Sequence, residues 1–193
     1  MRRFLLVCSA VLLLSCSDST SPGMPDAQLH ILQKDPAAPA LDSIVARFWA
    51  KVGVGREIRI GYAGSGEDFV RFEVPADGLL RKPDGSAFQP GDSILITLTV
   101  VDPARFALRF EPAGLVFNPN QPARLKFYYY NADHDFNGDG VINAADTTIE
   151  HSLDLWRREN ATAPWFRNGS VKFEELDEID ANILSFTEYA IAW

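Results

Sequence analysis

Apolar and polar positions alternate through the middle of the chain. Ile58, Ile60 and Tyr62 alternate with Glu57 and Arg59, and Val70, Phe72 and Val74 alternate with Phe69, Arg71 and Glu73. Ile94, Ile96, Leu98 and Val100 form one face of the strongest predicted strand, with Thr97 and Thr99 on the other. Phe106, Leu108 and Phe110 repeat the pattern, as do Leu125, Phe127 and Tyr129. A period of two sends successive side chains to opposite faces, so each run reads as a half-buried strand. Gly64-Ser65-Gly66, Pro83-Asp84-Gly85, Pro90-Gly91-Asp92 and Asn118-Pro119-Asn120 supply turns between them. This succession predicts a mainly β protein, an antiparallel β-sandwich in which each sheet buries one face.

Two stretches depart from the alternation. Ile149, Leu153 and Trp156 fall at helical spacing, with acids early and Arg157-Arg158 late, which suits the helix dipole and predicts a helix over 146–158. Phe173, Leu176 and Ile179 fit a helix, whereas Ile179, Ala181 and Ile183 alternate. The strand reading is adopted there, followed by a last strand over Tyr189 to Trp193.

The N-terminus has a different character. Arg2 and Arg3 precede an almost unbroken apolar run from Phe4 to Leu14. A spanning helix needs about 20 apolar residues, so this run has the length of a signal-peptide core instead. It ends in Leu13-Leu14-Ser15-Cys16, which resembles a bacterial lipobox. That resemblance implies cleavage after residue 15, acylation of Cys16, and anchoring to membrane lipid by the two or three chains that stable attachment needs. Ser17 follows the cysteine, which resembles the outer-membrane sorting signal and favours the outer over the inner membrane, with Asp18 next. The expected localisation is the bacterial cell envelope, facing outside the cytoplasm.

Charge and cysteine content narrow the function. Loss of Arg2 and Arg3 with the signal takes the net charge from −8 to −10, which repels nucleic-acid phosphates and excludes nucleic acid as an expected partner. Cys8 lies in the signal and Cys16 is acylated, so no thiol remains for a disulfide, a zinc-thiolate site or a nucleophile. Residues 16–40 read as a lipidated flexible tether, since Ser17 to Asp26 is rich in Ser, Thr, Pro and Gly and Asp35 to Ala40 in Pro and Ala. Residues 41–193 are long enough for one well-buried domain.

Phe72-Glu73-Val74-Pro75-Ala76-Asp77-Gly78-Leu79-Leu80, then Ile94 to Leu98, then Glu111-Pro112-Ala113-Gly114-Leu115-Val116-Phe117 resemble, in that order, the short motifs of the ZU5-type β-sandwich. The closing Phe186-Thr187-Glu188-Tyr189-Ala190-Ile191 is similar to its last strand. The resemblance spans roughly residues 55–193 apart from the helical insert. It implies a sandwich that mediates contacts rather than catalysis, by analogy of fold alone.

One constellation carries chemistry. Asp135-Phe136-Asn137-Gly138-Asp139-Gly140-Val141-Ile142-Asn143-Ala144-Ala145-Asp146 has EF-hand spacing, with oxygen side chains at loop positions 1, 3, 5, 9 and 12, Gly140 at 6 and Ile142 at 8. Calcium takes six to eight hard oxygens, and this spacing wraps them around one point. The expected ligands are Asp135, Asn137 and Asp139 by side chain, Val141 by its carbonyl, Asn143 through water, and Asp146, in bidentate fashion if the geometry allows. Asn at positions 3 and 9, Asp at 12, entry from the Tyr128-Tyr129-Tyr130 strand and exit into a helix resemble a dockerin-type loop. Dockerins carry two such loops, and only one is present. Without a twin across a loop pair, Ile142 is expected to pack on the sandwich or on Trp156, so that one structural ion clamps the insert to the sheet.

Asp133 reads as an extension of the acidic turn, and His134 and His151 as surface residues outside any zinc spacing. Tyr128 and Tyr130, with Trp165 and Phe166, form either a carbohydrate platform or packing beneath the insert, and packing is preferred. No Gly-x-Ser-x-Gly, His-Glu-x-x-His or phosphate loop occurs. The sequence therefore predicts a non-catalytic, membrane-anchored binding or scaffolding module with one structural calcium ion and an unidentified protein or polysaccharide partner. A dockerin-like adaptor and a carboxylate-dependent hydrolase are the alternatives.

Overall fold

The computed structural model describes residues 23–193. Cys16 and the 1–15 signal lie outside the described residues. The strands are β1 (Val45–Lys51), β2 (Arg56–Gly61), β3 (Asp68–Val74), β4 (Leu79–Arg81), β5 (Ser93–Val100), β6 (Ala107–Glu111), β7 (Val116–Phe117) and β8 (Ala123–Tyr128). The one α-helix among the described residues, α1 (Ala144–Glu150), precedes β9 (Asp154–Arg158), β10 (Phe166–Arg167), β11 (Val171–Phe173), β12 (Glu178–Ile183) and β13 (Glu188–Ala192). Two antiparallel sheets, ordered β1-β5-β6-β13-β9-β10 and β11-β12-β8-β3-β2, share one core, and β4 pairs with β7 in a small ribbon.

The alternating runs became these strands because each has one face to bury. Ile96, Leu98 and Val100 of β5, Leu108 and Phe110 of β6, and Leu125 and Phe127 of β8 are all buried. Aromatic rings bridge the two sheets: Phe72 lies 4.8 Å from Phe110, Phe69 lies 5.0 Å from Phe106, and Phe186 stacks on Phe110 at 4.9 Å between centroids. Phe69 breaks the alternation that β3 would otherwise show, since it is buried like its neighbours Asp68 and Val70. A bulge causes this, because the register shifts between Ile60↔Val70 and Gly61↔Asp68, leaving Phe69 unpaired and aimed at the core. Gly61 permits the close approach, since a Cβ there would meet the Glu67 carbonyl at 2.9 Å.

The stretch predicted as tether ends earlier than expected. Residues 24–34 pack on the body. Met24 and the now buried Trp165 exchange backbone hydrogen bonds of 2.7 and 2.8 Å. Leu32 donates to the Ile191 carbonyl at 2.9 Å, its own carbonyl accepts from Phe106, and its side chain is fully buried. Leu29 joins Ala107, Trp156, Trp165, Ala190 and Ala192 in a second apolar cluster. Ala107, Ala190 and Trp156 are register partners across β6, β13 and β9, so this cluster lies on the outer face of the six-stranded sheet. An Asp26–Arg158–Glu188–Arg109 chain of ion pairs fastens the strap, with N–O distances of 2.7, 2.6 and 2.6 Å.

The helix predicted over 146–158 is likewise corrected. It stops at Glu150, and residues 154–158 form β9, paired with β13 and β10. Leu153, Leu155 and Trp156 are all buried, two in the main core and Trp156 beneath the strap. Burial on both faces of β9 erased the alternation that would have marked a strand. The strand reading of 179–183 corresponds to β12, and the last predicted strand to β13.

Candidate calcium-binding loop and the surfaces around it

The loop grows from the end of β8. Tyr129 hydrogen-bonds to the Asp177 carbonyl at 2.7 Å, and Ala132 turns back onto Tyr129 at 2.8 Å. The Asp133 carboxylate then accepts from the Asp135 N–H at 3.1 Å, in keeping with its reading as part of the acidic turn. Phe136, at loop position 2, is driven into the core and lies edge-on to Trp193 at 6.0 Å, which pins the entry of the loop. Gly138 and Gly140 adopt φ of 71° and 84°, a left-handed conformation that glycine enters without steric cost.

Backbone amides orient every acidic side chain of the loop. Asp135 accepts from Asp139 N–H at 3.0 Å and from Gly140 N–H at 2.7 Å. The Asn137 carbonyl oxygen also accepts from Asp139 N–H, at 2.8 Å, and Asp139 accepts from Val141 N–H at 2.9 Å. Asp146 closes the ring, accepting from Asn137 N–H at 3.2 Å and Asn143 N–H at 2.9 Å. Asn143 caps α1 by accepting from Ala145 N–H, so Asn143 and Asp146 form a reciprocal capping box. The Asn143 amide also donates to the Val141 carbonyl at 2.8 Å. Asp146 is 1 % exposed. The Asn143 N–H first, and the Asn137 N–H after it, hold its carboxyl below the usual carboxylate range against the opposing effect of burial.

These residues make an all-oxygen donor set, the chemistry a hard cation requires. The structure places Asp135, Asn137, Asp139, Val141, Asn143 and Asp146 around one turn, but as separate amide-bonded groups. Among the described residues no three His, Cys, Asp or Glu side chains form a group able to hold a metal ion. Asn143 is engaged at both ends of its amide, and the Val141 carbonyl already accepts one hydrogen bond.

Ile142 does not pack where expected. It is 70 % exposed and Val141 60 %, while Trp156 is buried and donates its indole N–H to the Ala192 carbonyl at 3.1 Å. The insert is fixed to the body by other groups. The fully buried Tyr129 donates its hydroxyl hydrogen bond to Glu150 at 3.2 Å, and Lys172 donates to the Glu150 carbonyl at the helix end. Tyr128 and Tyr130, expected beneath the insert, lie over β3 instead, where Tyr130 donates to the Asp68 carbonyl at 2.5 Å and Arg71 sits 5.8 Å from the Tyr128 ring. His151 faces Glu174 at 2.8 Å and His134 packs edge-on to Phe136.

Two depressions lie away from the loop. One, of about 560 Å³, runs over the outer face of the six-stranded sheet past Leu95, Thr97, Arg109, Asn160 and Glu188. The other, of about 930 Å³, lies around the β10–β11 connection and is lined by Arg124, Arg157, Asn168, Phe173 and Asp180 among others. The buried carboxylates Asp68, Glu178 and Glu188 are each ion-paired, with Arg71, Lys126 and the Arg109–Arg158 pair respectively. Burial raises the Asp177 carboxyl, which lines neither depression. No helix of the described residues is long and apolar enough to cross a membrane. Comparison with family models, with curated proteins and with solved structures finds no match to this chain.

Proposed function

We propose that this protein is a lipid-anchored, extracytoplasmic binding or scaffolding module whose ZU5-like body carries one structural calcium ion in the 135–146 loop. The observation that supports it most is the double pinning of the loop, by Phe136 in the core at its start and by the Asn143–Asp146 capping box at its end. Backbone amides already hold Asp135, Asp139 and Asp146 in orientation, and each carboxylate oxygen keeps a lone pair beyond its amide bond. A calcium ion would draw these three, with Asn137 and the Val141 carbonyl, onto one centre, and Asn143 would act through water. The Cys16 lipobox supplies the anchor, and residues 24–34, which composition assigns to the tether, pack on the body.

The test is a thermal melt in calcium and in chelator. At about 100 times the dissociation constant, calcium is expected to stabilise the folded chain by about 2.7 kcal/mol. Asp135→Ala is expected to remove most of that shift and to leave a β-rich spectrum. Equal shifts for both proteins, or none for the parent, would reduce the loop to an acidic turn.

The exposure of Val141 and Ile142 favours a second reading, in which the loop tip docks a partner domain as an adaptor. Burial of Trp156 weighs against a docking face on that residue. A pull-down from the native envelope with and without chelator separates the two, since only docking through the loop makes partner capture depend on calcium.

A further inference from the structure

Among the described residues, β1 is the longest strand at an open edge of the two main sheets. The terminal strands of the sheets are β1, β10, β11 and β2. β10 and β11 are two and three residues long, and β2 is guarded by the exposed charges Arg56, Glu57 and Arg59. β1 has seven residues, and among the described residues only β5 pairs with it.

Register shows which groups face outward. Val100 N–H donates to the Ile44 carbonyl and Val52 N–H to the Asp92 carbonyl, so the even-numbered residues of β1 exchange hydrogen bonds with β5. In an antiparallel pair the odd-numbered residues then direct their N–H and C=O away from β5. At the two ends these groups are occupied: Ser43 Oγ bonds both backbone groups of Val45, and the Lys51 carbonyl accepts from Val54. Arg47 and Trp49 between them have no such partner among the described residues. Both side chains are exposed, Trp49 at 58 %, on the face opposite the half-buried Phe48.

We propose that this edge pairs antiparallel with β1 of a second copy of the chain, about a two-fold axis through Phe48. The stretch is complementary to itself in that register and in no neighbouring one. Arg47 falls opposite Trp49 of the second copy and Trp49 opposite its Arg47, so all four outward backbone groups of each copy find a partner. The same pairing lays each guanidinium beside an indole on the outer face, a favourable cation–π neighbour. On the inner face Phe48 meets its own twin and Ala46 meets Ala50, so an apolar row extends the core across the axis. A shift by one residue would bring the outward groups of one copy against the occupied side of the other. The result is an isologous contact that closes on itself rather than a growing fibre.

Site-specific cross-linking of the full chain tests this, with Cys8→Ser and Cys16→Ser so that an introduced thiol is the only one. Phe48→Cys is expected to form a covalent dimer under mild oxidation, because Cα atoms of a non-hydrogen-bonded pair lie about 4.5 Å apart, within disulfide reach. Val45→Cys alone and Lys51→Cys alone are expected to form no covalent dimer, their twins lying roughly 20 Å away, yet a mixture of the two is expected to cross-link. Sedimentation guards against a Phe48 variant that folds poorly. The parent is expected to sediment as a dimer at micromolar concentration, Trp49→Lys to raise the dissociation constant at least tenfold by facing Arg47, and Trp49→Glu to retain association. A monomeric parent, which would leave the edge to a strand from another protein or to the N-terminal residues, overturns the proposal. So does Val45→Cys linking as readily as Phe48→Cys.

Discussion

Asp146 shows how much one side chain can carry. Its place is position 12 of a loop with EF-hand spacing, and the structure makes it also the N3 member of the α1 capping box and the acceptor that joins Asn137 to Asn143. Its lowered pKa has a direct consequence for stability. A carboxylate whose folded pKa is depressed contributes stability that is present above the unfolded value, about 3.9, and is lost as pH falls through the folded pKa. The melting temperature is therefore expected to fall as pH drops below about 4. Asp146→Asn is expected to lower it by a few degrees at neutral pH and to flatten that acid dependence, since its amide N–H would face a backbone N–H. Melts of both proteins between neutral pH and acid would show identical acid profiles if Asp146 were a bystander. Phe136 is the residue-scale lesson in the other direction. Nothing in the loop spacing marks position 2, and only its burial against Trp193 reveals it as the wedge that fixes the loop.

Among the elements, the strap of residues 24–34 departs furthest from expectation. Its flanks are Pro, Ser and Ala-rich, and that composition hid the short apolar group Leu29, Ile31 and Leu32. Three apolar residues cannot nucleate a core, but Leu29 and Ile31 can complete a sheet face that already exposes Ala107, Ala190, Ala192 and Trp156, while Leu32 enters the main core. Leu32→Ala is expected to cost about 2–5 kcal/mol, the range for truncating a fully buried leucine. Urea denaturation measures it, and a change below about 0.5 kcal/mol, typical of surface positions, would return the strap to the tether. β9 failed to show in the sequence for a related reason. A strand buried on both faces has no polar face to alternate with, and Ile149, Leu153 and Trp156 happened to match the helical period. β2, β3, β5, β6, β8 and β12 were legible because each pairs a buried face with a wetter one or ends at clear turn residues, whereas β13 is buried at every position and was expected only as the closing strand.

For the whole molecule, the proposed anchoring rests on residues at one end and shape on contacts from everywhere else. Cys16→Ser is expected to abolish acyl labelling and release the protein from membranes, and membrane retention without label would remove the anchor from the proposal. The strap of residues 24–34 meets the body at the outer face of the six-stranded sheet, so the start of the described chain lies on that face. By itself the sequence determined the mainly β class, most strands and the oxygen-rich loop, because each is written in local spacing of two or twelve residues. Only the tertiary structure decided that α1 stops at Glu150, that the strap belongs to the fold, and that Ile142 points to water. Those outcomes depend on which surface is left uncovered when two sheets close on each other, and a surface assembled from β6, β9 and β13 has no signature in any one stretch of chain.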